Sequence, residues 1–230
     1  MMNQYTDRSY AEELRMIRER LLQMAGRVEE MIDCSIRALV ERDSDLASET
    51  ILMDREVNQD EVDLDAMCLE LLARRQPMAS DLRFVILTMK MVTDLERIGD
   101  LAVNICERSR DLSRKPSLGP FDKIPRMAKI VREMLHAAID SFVERNVEEA
   151  HSVIVMDDDV DELYHQVFRT LLDMMRAEPK VVHRGIHVQS VAKFLERIGD
   201  HATNLAEQVI HMLEGTDVRH EGKLVDPDSE

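Results

Sequence analysis

The hexapeptide LERIGD occurs twice in this chain, at Leu95–Asp100 and again at Leu195–Asp200. Around it the copies read TDLERIGDLAVNICE and AKFLERIGDHATNLAE, with Ala102/Ala202, Asn104/Asn204 and Glu107/Glu207 also matching at an offset of 100. A chance match of this length is improbable, so the chain reads as an internal duplication, and any fold it adopts must form twice. The repeat extends upstream. Met24, Leu39, Ile51, Met53 and Asp54 match Met127, Phe142, Ile154, Met156 and Asp157 at offset 103, and Pro77 is mirrored by Pro179. The offset slips only where helix ends are expected.

Within each copy the periodicity is helical. Leu14, Ile17, Leu21, Met24, Val28, Met31, Ser35 and Leu39 recur at three- and four-residue steps and form one face of a first helix ending near Arg42. Asp43 or Ser44 supplies the N-cap of a second helix running to about Arg74, Pro77 breaks it, and a third restarts at Ser80. Only 3% aromatic residues, no Trp and 16 Met favour long helices over sheets. The expected fold is all-α: two tandem three-helix bundles of antiparallel helices, each roughly 30 residues and about 45 Å long. SRKPSLGP, residues 113–120, is the best linker. The expected organisation is a first bundle over residues 1–112, a linker over 113–122, a second bundle over 123–213 and a frayed tail over 214–230.

Charge narrows the function. A formal net charge of −16 argues against direct binding of nucleic acid, whose phosphates need Lys and Arg. Cys34, Cys68 and Cys106 are odd in number and lack metal-ligand spacing, so they read as core residues in a reducing compartment. No signal peptide and no apolar run of roughly 18 residues is apparent, and a cytoplasmic location is expected.

The repeated motif concentrates acids on one helix face. Glu96, Asp100, Asn104 and Glu107 follow steps of four, four and three, placing them within about 80° of one another; Glu196, Asp200, Asn204 and Glu207 do the same in the second copy. One helix earlier, Asp54 and Asn58, and Asp157 and Asp161, add oxygen donors at four-residue spacing. Like charges at this spacing repel, and burying them unpaired is costly, so a bound cation would resolve both penalties. Asp, Glu and Asn oxygens suit Mg, Mn, Ca or Fe, and the scarcity of nearby His and Cys argues against a structural zinc site. Gly99 and Gly199 each cost about 1 kcal/mol relative to Ala mid-helix and need a packing reason, such as close approach of a neighbour. Arg97 and Arg197 are candidate supports for the carboxylates. A solvated acidic face is the plainer reading of one stripe, but the repetition favours metal.

Two E-x-x-H pairs, Glu133/His136 and Glu162/His165, and the His183/His187 pair leave open a di-metal carboxylate enzyme or a metal store. There is no G-x-S-x-G, Walker A or Gly-rich nucleotide loop, and the chain reads as a binding module, not an enzyme.

YAEEL at Tyr10–Leu14, QPMASDLR at Gln76–Arg83, DLERIGDLAVN and FLERIGDHATNLAE, in this order, resemble the PhoU family of phosphate-uptake regulators over about residues 5–213. The resemblance implies two three-helix bundles related by pseudo-twofold symmetry, with multinuclear metal clusters on E/DxxxD motifs. Those motifs match Glu96/Asp100, Glu196/Asp200 and Asp157/Asp161, whereas Asp54/Asn58 departs from the pattern. The ions to consider are Fe, Mn, Mg or Zn. The resemblance further implies a cytoplasmic negative regulator of the phosphate-starvation response, linking the Pst transporter's ATPase subunit PstB to the sensor kinase PhoR. A homodimer is expected from the apolar and Met-rich flanks of such rods.

Overall fold

The described residues of the computed structural model form six α-helices: α1 Met2–Glu41, α2 Ser44–Arg75, α3 Ala79–Ser113, α4 Lys123–Glu144, α5 Val147–Ala177 and α6 Val182–Glu214. The structure describes residues 2–119 and 122–214, with side chains from residue 9 onward; beyond Glu214 the tail lies outside the described residues. A short 3-10 turn, Pro179–Val181, leads into α6. No strand occurs among the described residues, and the all-α expectation holds.

Local chemistry repeats with the sequence. Arg42 and Arg145, matched at offset 103, both adopt the left-handed conformation, with φ of 60° and 57°, where α1 and α4 end. The residue after each caps the next helix. Asp43 Oδ1 accepts from the amides of Asp45 and Leu46 at 2.9 Å, and Asn146 Oδ1 accepts from the Glu149 amide at 3.3 Å. Capping satisfies amides that have no partner inside the first turn.

Helix length departs from the expected uniformity: α1 has 40 residues and α4 only 22. At the repeat offset Lys123 corresponds to Arg20, so the first part of α1 has no counterpart. That extension is pinned by specific contacts. Tyr10 donates to Asp81 Oδ2 at 2.9 Å, Arg75 Nε donates to Glu13 Oε2 at 3.1 Å, and Ile17 is buried.

Within each half three helices pack mutually, and between halves α3 lies beside α6 and α1 beside α4, leaving α2 and α5 as flanks. The α3–α6 pair is antiparallel. Asp94 Oδ1 accepts from His201 Nδ1 at 2.9 Å near its middle, and Lys115 Nζ meets His183 Nδ1 at 3.0 Å near one end. The main hydrophobic core runs through both bundles, from Ile17 to Ile210. Phe84 of the first half stacks on Phe142 of the second with ring centroids 5.3 Å apart. The α1–α4 seam is polar at its rim, where Arg132 Nη1 meets Asp33 Oδ2 at 2.6 Å and His136 Nδ1 meets Glu29 Oε1 at 3.1 Å. The two bundles therefore share one interior.

Cys68 is buried in this interior, Cys106 is buried in a small separate cluster with Ala38 and Ala47, and Cys34 is half-buried, all as free thiols. Burial pushes the Cys68 and Cys106 thiols up to about 12, which keeps them protonated and inert.

Candidate metal-binding faces

In the first half the LERIGD helix α3 turns Glu96 and Asp100 toward α2, which contributes Asp54, Asn58 and Glu61. Asp54 is half-buried. Its Oδ2 accepts from Asn58 Nδ2 at 2.9 Å, while its Oδ1 is buried without a hydrogen-bond partner. Burial raises the Asp54 carboxyl above the ordinary carboxylate range, and the charge of Asp100 raises it further. Glu96 is raised first by burial and then by Asp100, with Arg97 opposing and Glu61 and Asp54 adding. Glu61 is raised by burial, Asp65 and Asp100. These mutual repulsions place Asp54, Glu61, Glu96 and Asp100 in one electrostatic neighbourhood between α2 and α3.

The second half repeats the arrangement between α5 and α6. Asp157 is half-buried and its carboxyl is pushed up to about 6, by burial first and then by Asp161, Asp200, Glu196 and Asp158. Here a cation is built in. Lys193 Nζ lies 2.6 Å from Glu196 Oε1 and 2.5 Å from Oε2, and sits 5.5 Å from the ring centre of Tyr164.

The glycine of each motif faces this acid. A Cβ at Gly99 would lie 3.4 Å from Val57 Cγ1 and 3.7 Å from Asp54 Oδ1, and one at Gly199 would lie 3.1 Å from Asp157 Oδ1. At Gly199 the helix omits a side chain where the Asp157 carboxylate is pressed against it, which supplies the packing reason the sequence demands there; at Gly99 the neighbours stand at ordinary contact distance.

Not every residue of the expected stripe joins these faces. Glu107 lies 11 residues beyond Glu96, about 16 Å along the helix, and is exposed beside Arg108 at 3.5 Å. Asn104 is half-buried, Asn204 exposed and Glu207 half-buried, all beyond the coupled acids. The stripe is thus a face longer than one ion's coordination sphere. Arg97 contacts Glu96 and Asp100 only at 3.5 Å and is 57% exposed; Arg197 is exposed. Sequence reading missed Glu61, two turns after Asp54 on the same face, and Lys193, one turn before Glu196. Extending the helical register by one further turn finds both.

As the side chains stand, no three His, Cys, Asp or Glu among the described residues converge closely enough to hold a metal ion. The donor chemistry nevertheless fits a hard cation: carboxylates raised by burial and mutual repulsion, one with a buried oxygen that lacks a donor.

The histidine pairs serve elsewhere. His136 is raised by its hydrogen bond to Glu29 across the seam, and Glu133 pairs with Lys129 at 3.6 Å. Glu162 accepts from Gln166 Nε2 at 3.0 Å, and His165 is exposed. His183 and His187 stack with centroids 4.7 Å apart, and burial, with His183, Arg108 and Lys115 nearby, lowers His187. Cationic neighbours repel a metal ion, which weakens the His183/His187 pair as a metal site.

Comparison with known proteins bears on the family and the fold. The PhoU domain profile matches residues 21–109 and 124–209, one match per half. A phosphate-specific transport system accessory protein PhoU homolog from Pseudomonas putida is 38% identical over 96% of this chain and 87% of its own length. The crystal structure of PhoU from Pseudomonas aeruginosa superposes with a TM-score of 0.86 at 38% identity, covering 90% of this chain and 100% of that one. The phosphate transport system regulatory protein PhoU from Streptococcus pneumoniae superposes at 0.84 with 26% identity, covering 91% and 99%. With its duplicated LERIGD helices, its two packed bundles and a domain match in each half, the chain belongs to the PhoU family, whose members are accessory proteins and not enzymes.

Proposed function

We propose that this chain is a cytoplasmic negative regulator of the phosphate-starvation response and of phosphate uptake, acting as an adaptor between the Pst transporter's ATPase subunit PstB and the sensor kinase PhoR. The observation that carries the reading is the family match across both halves, with relatives named as accessory proteins of a phosphate-specific transport system. No helix of the described residues is long and apolar enough to cross a membrane, so contact with a membrane transporter would run through a partner protein. Deleting the gene should raise alkaline phosphatase in phosphate-rich medium. A reporter that stays low, with neither partner captured at any phosphate level, overturns the assignment.

Metal belongs to the same proposal. Asp54, Glu61, Glu96 and Asp100 would hold cations on one face and Asp157, Asp161, Glu196 and Asp200 on the other; Fe, Mn, Mg and Zn are the ions to load. A bound cation would supply positive charge that offsets the mutual repulsion of these carboxylates and would tie α2 to α3 and α5 to α6. Elemental analysis of Glu196→Gln with Asp200→Asn should show less metal than wild type under matched loading, and unchanged content removes the second face from the proposal. Self-association would use the outer flanks, where Leu52, Val62 and Leu69 of α2 and Val155 and Phe168 of α5 are exposed. Sedimentation at tens of micromolar, about the range of weak dimers, should show a dimer; monomer alone counts against it.

A further inference from the structure

We propose that the cavity between the start of α3 and the end of α6 binds a small organic oxyanion with an apolar body. The inference rests on neither the adaptor nor the metal reading.

The two ends of the α3–α6 pair are related by the repeat and are finished differently. At one end His183 and His187 stack with centroids 4.7 Å apart, Lys115 Nζ meets His183 Nδ1 at 3.0 Å, and Asp111 lies 3.7 Å from His187 and 3.6 Å from Arg108. Its charged groups engage one another. At offset 100 the other end carries Arg83, Leu87, Gln208 and His211 in place of His183, His187, Arg108 and Asp111. There a cavity of about 200 Å³ opens between the helices.

Charge in this cavity has one sign. Arg83 and Lys90 line it, and among the described residues no acid does. The two cations are seven residues apart on one face of α3, about 10 Å along its axis, and both are exposed. Among the described residues neither forms an ion pair. The acids nearest to them along α3 are committed elsewhere: Asp81 accepts from Tyr10 at 2.9 Å, and Asp94 accepts from His201 Nδ1 at 2.9 Å and from Gln208 Nε2 at 3.2 Å. On a chain of net charge −16, a cavity with two such cations and no carboxylate selects an anion, and a dianion over a monoanion.

The remaining lining sets the body of the ligand. Ile86 and Leu87 of α3 and Met212 of α6 give the cavity an apolar wall. Donation to Asp94 fixes which end of the Gln208 amide is nitrogen, and its oxygen is buried without a donor. A hydroxyl or amine on the ligand is the group that oxygen lacks. The volume lies below the roughly 300–1,000 Å³ of drug-sized sites, so the body is a single ring or a short chain.

The test is calorimetric titration of the full chain with phenyl phosphate as probe. One molecule per chain should bind with a Kd of about 0.1–1 mM, more weakly as salt rises. Inorganic phosphate, which has the head without the ring, and benzyl alcohol, which has a ring without the charge, should each bind at least about tenfold more weakly. Arg83→Gln and Lys90→Gln sit at exposed positions; each should raise Kd at least about fivefold with thermal melts unchanged, whereas Arg169→Gln on the outer side of α5 removes the same charge and should leave Kd as it is. No saturation by about 10 mM phenyl phosphate overturns the site. Equal affinity for inorganic phosphate overturns the apolar body, and an equal loss in Arg169→Gln shows attraction to the chain at large instead of to this cavity. None of these outcomes touches the reporter or elemental-analysis tests of the regulatory and metal readings.

Discussion

The two acidic faces are built on the same hexapeptide and differ in the helix that meets it. In the first half α2 brings Asp54, Asn58, Glu61 and Asp65; at offset 103 α5 brings Asp157, Asp161, Tyr164 and Phe168. The second face exchanges two acids for aromatic rings and places Lys193 where the first has Thr93. The first spreads its charge over more carboxylates, and the second concentrates it on Asp157 while neutralising Glu196 with its own ammonium group. A repeated motif thus fixes where acid is placed, and the partner helix fixes how that charge is offset. The helix interfaces diverge in the same way. Between α1 and α2, Asp60 is almost fully buried and bridges Arg20, at 2.8 Å, and Arg27. The positions matching Asp60 and Arg27 in the second half are Leu163 and Ile130.

The largest expected effect breaks this last comparison. Asp60→Ala should lower stability in urea melts by about 2–4 kcal/mol, because two guanidinium groups lose the carboxylate they share. Asp60→Leu with Arg27→Ile copies the second half and should recover most of that loss; a double variant no better than Asp60→Ala shows that the two interfaces are not interchangeable.

Next comes the charge of the second face in metal-free protein. A carboxyl raised to about 6 holds a proton in the folded state that the unfolded chain releases near 3.8. Its contribution to stability is complete below the unfolded value and is lost as pH rises through about 6. Asp157→Asn should therefore stabilise the metal-free protein by about 1–3 kcal/mol at neutral pH, and by progressively less toward pH 4. Asp54→Asn should act in the same direction. A melting temperature that rises with pH across this window in wild type, but not in Asp157→Asn, contradicts the sign. Saturating Mn or Mg should erase the wild-type penalty if cations bind there.

The glycines sharpen the contrast further. Gly99→Ala meets only contacts of 3.4 Å or more and should gain up to about 1 kcal/mol of helix propensity. Gly199→Ala forces the Asp157 carboxylate back from 3.1 Å and should gain nothing or lose about 0.5 kcal/mol. Equal effects in thermal melts would mean that the two carboxylates approach equally closely.

The smallest effect concerns the matched left-handed arginines. Arg145→Gly should stabilise by about 0.5 kcal/mol, since glycine adopts positive φ freely. Arg42→Gly should be destabilising instead, because Arg42 Nη2 donates to the carbonyls of Leu112 at 3.0 Å and Ser113 at 2.9 Å, and to that of Lys115, closing the end of α3. If both substitutions stabilise, the Arg42 contacts contribute little.

Much of this was legible without coordinates. The stripe from Leu14 to Leu39 and the breaks at Arg42 and Pro77 mark the first three helices because period and capping are local properties of the chain. The acidic register of Glu96 and Asp100 was legible for the same reason. Glu107 shares their angular position but not their site, because angular position ignores distance along the axis. The roles of His136 and His187 were not legible, since each depends on a residue far away in sequence: Glu29 for the first, Arg108 and Asp111 for the second.

The sequence by itself determined the duplication, the helices and the residue types on each helix face, all of which follow from spacing within a few turns. Only the tertiary structure decided that the two bundles share one core, that Asp157 presses against Gly199 while Asp54 stands off Gly99, and that Asp54, Glu61, Glu96 and Asp100 meet between α2 and α3. The physical reason is that burial and electrostatic coupling depend on distances across helices. A one-dimensional pattern constrains which residues face a neighbour, and close packing alone sets how near they come.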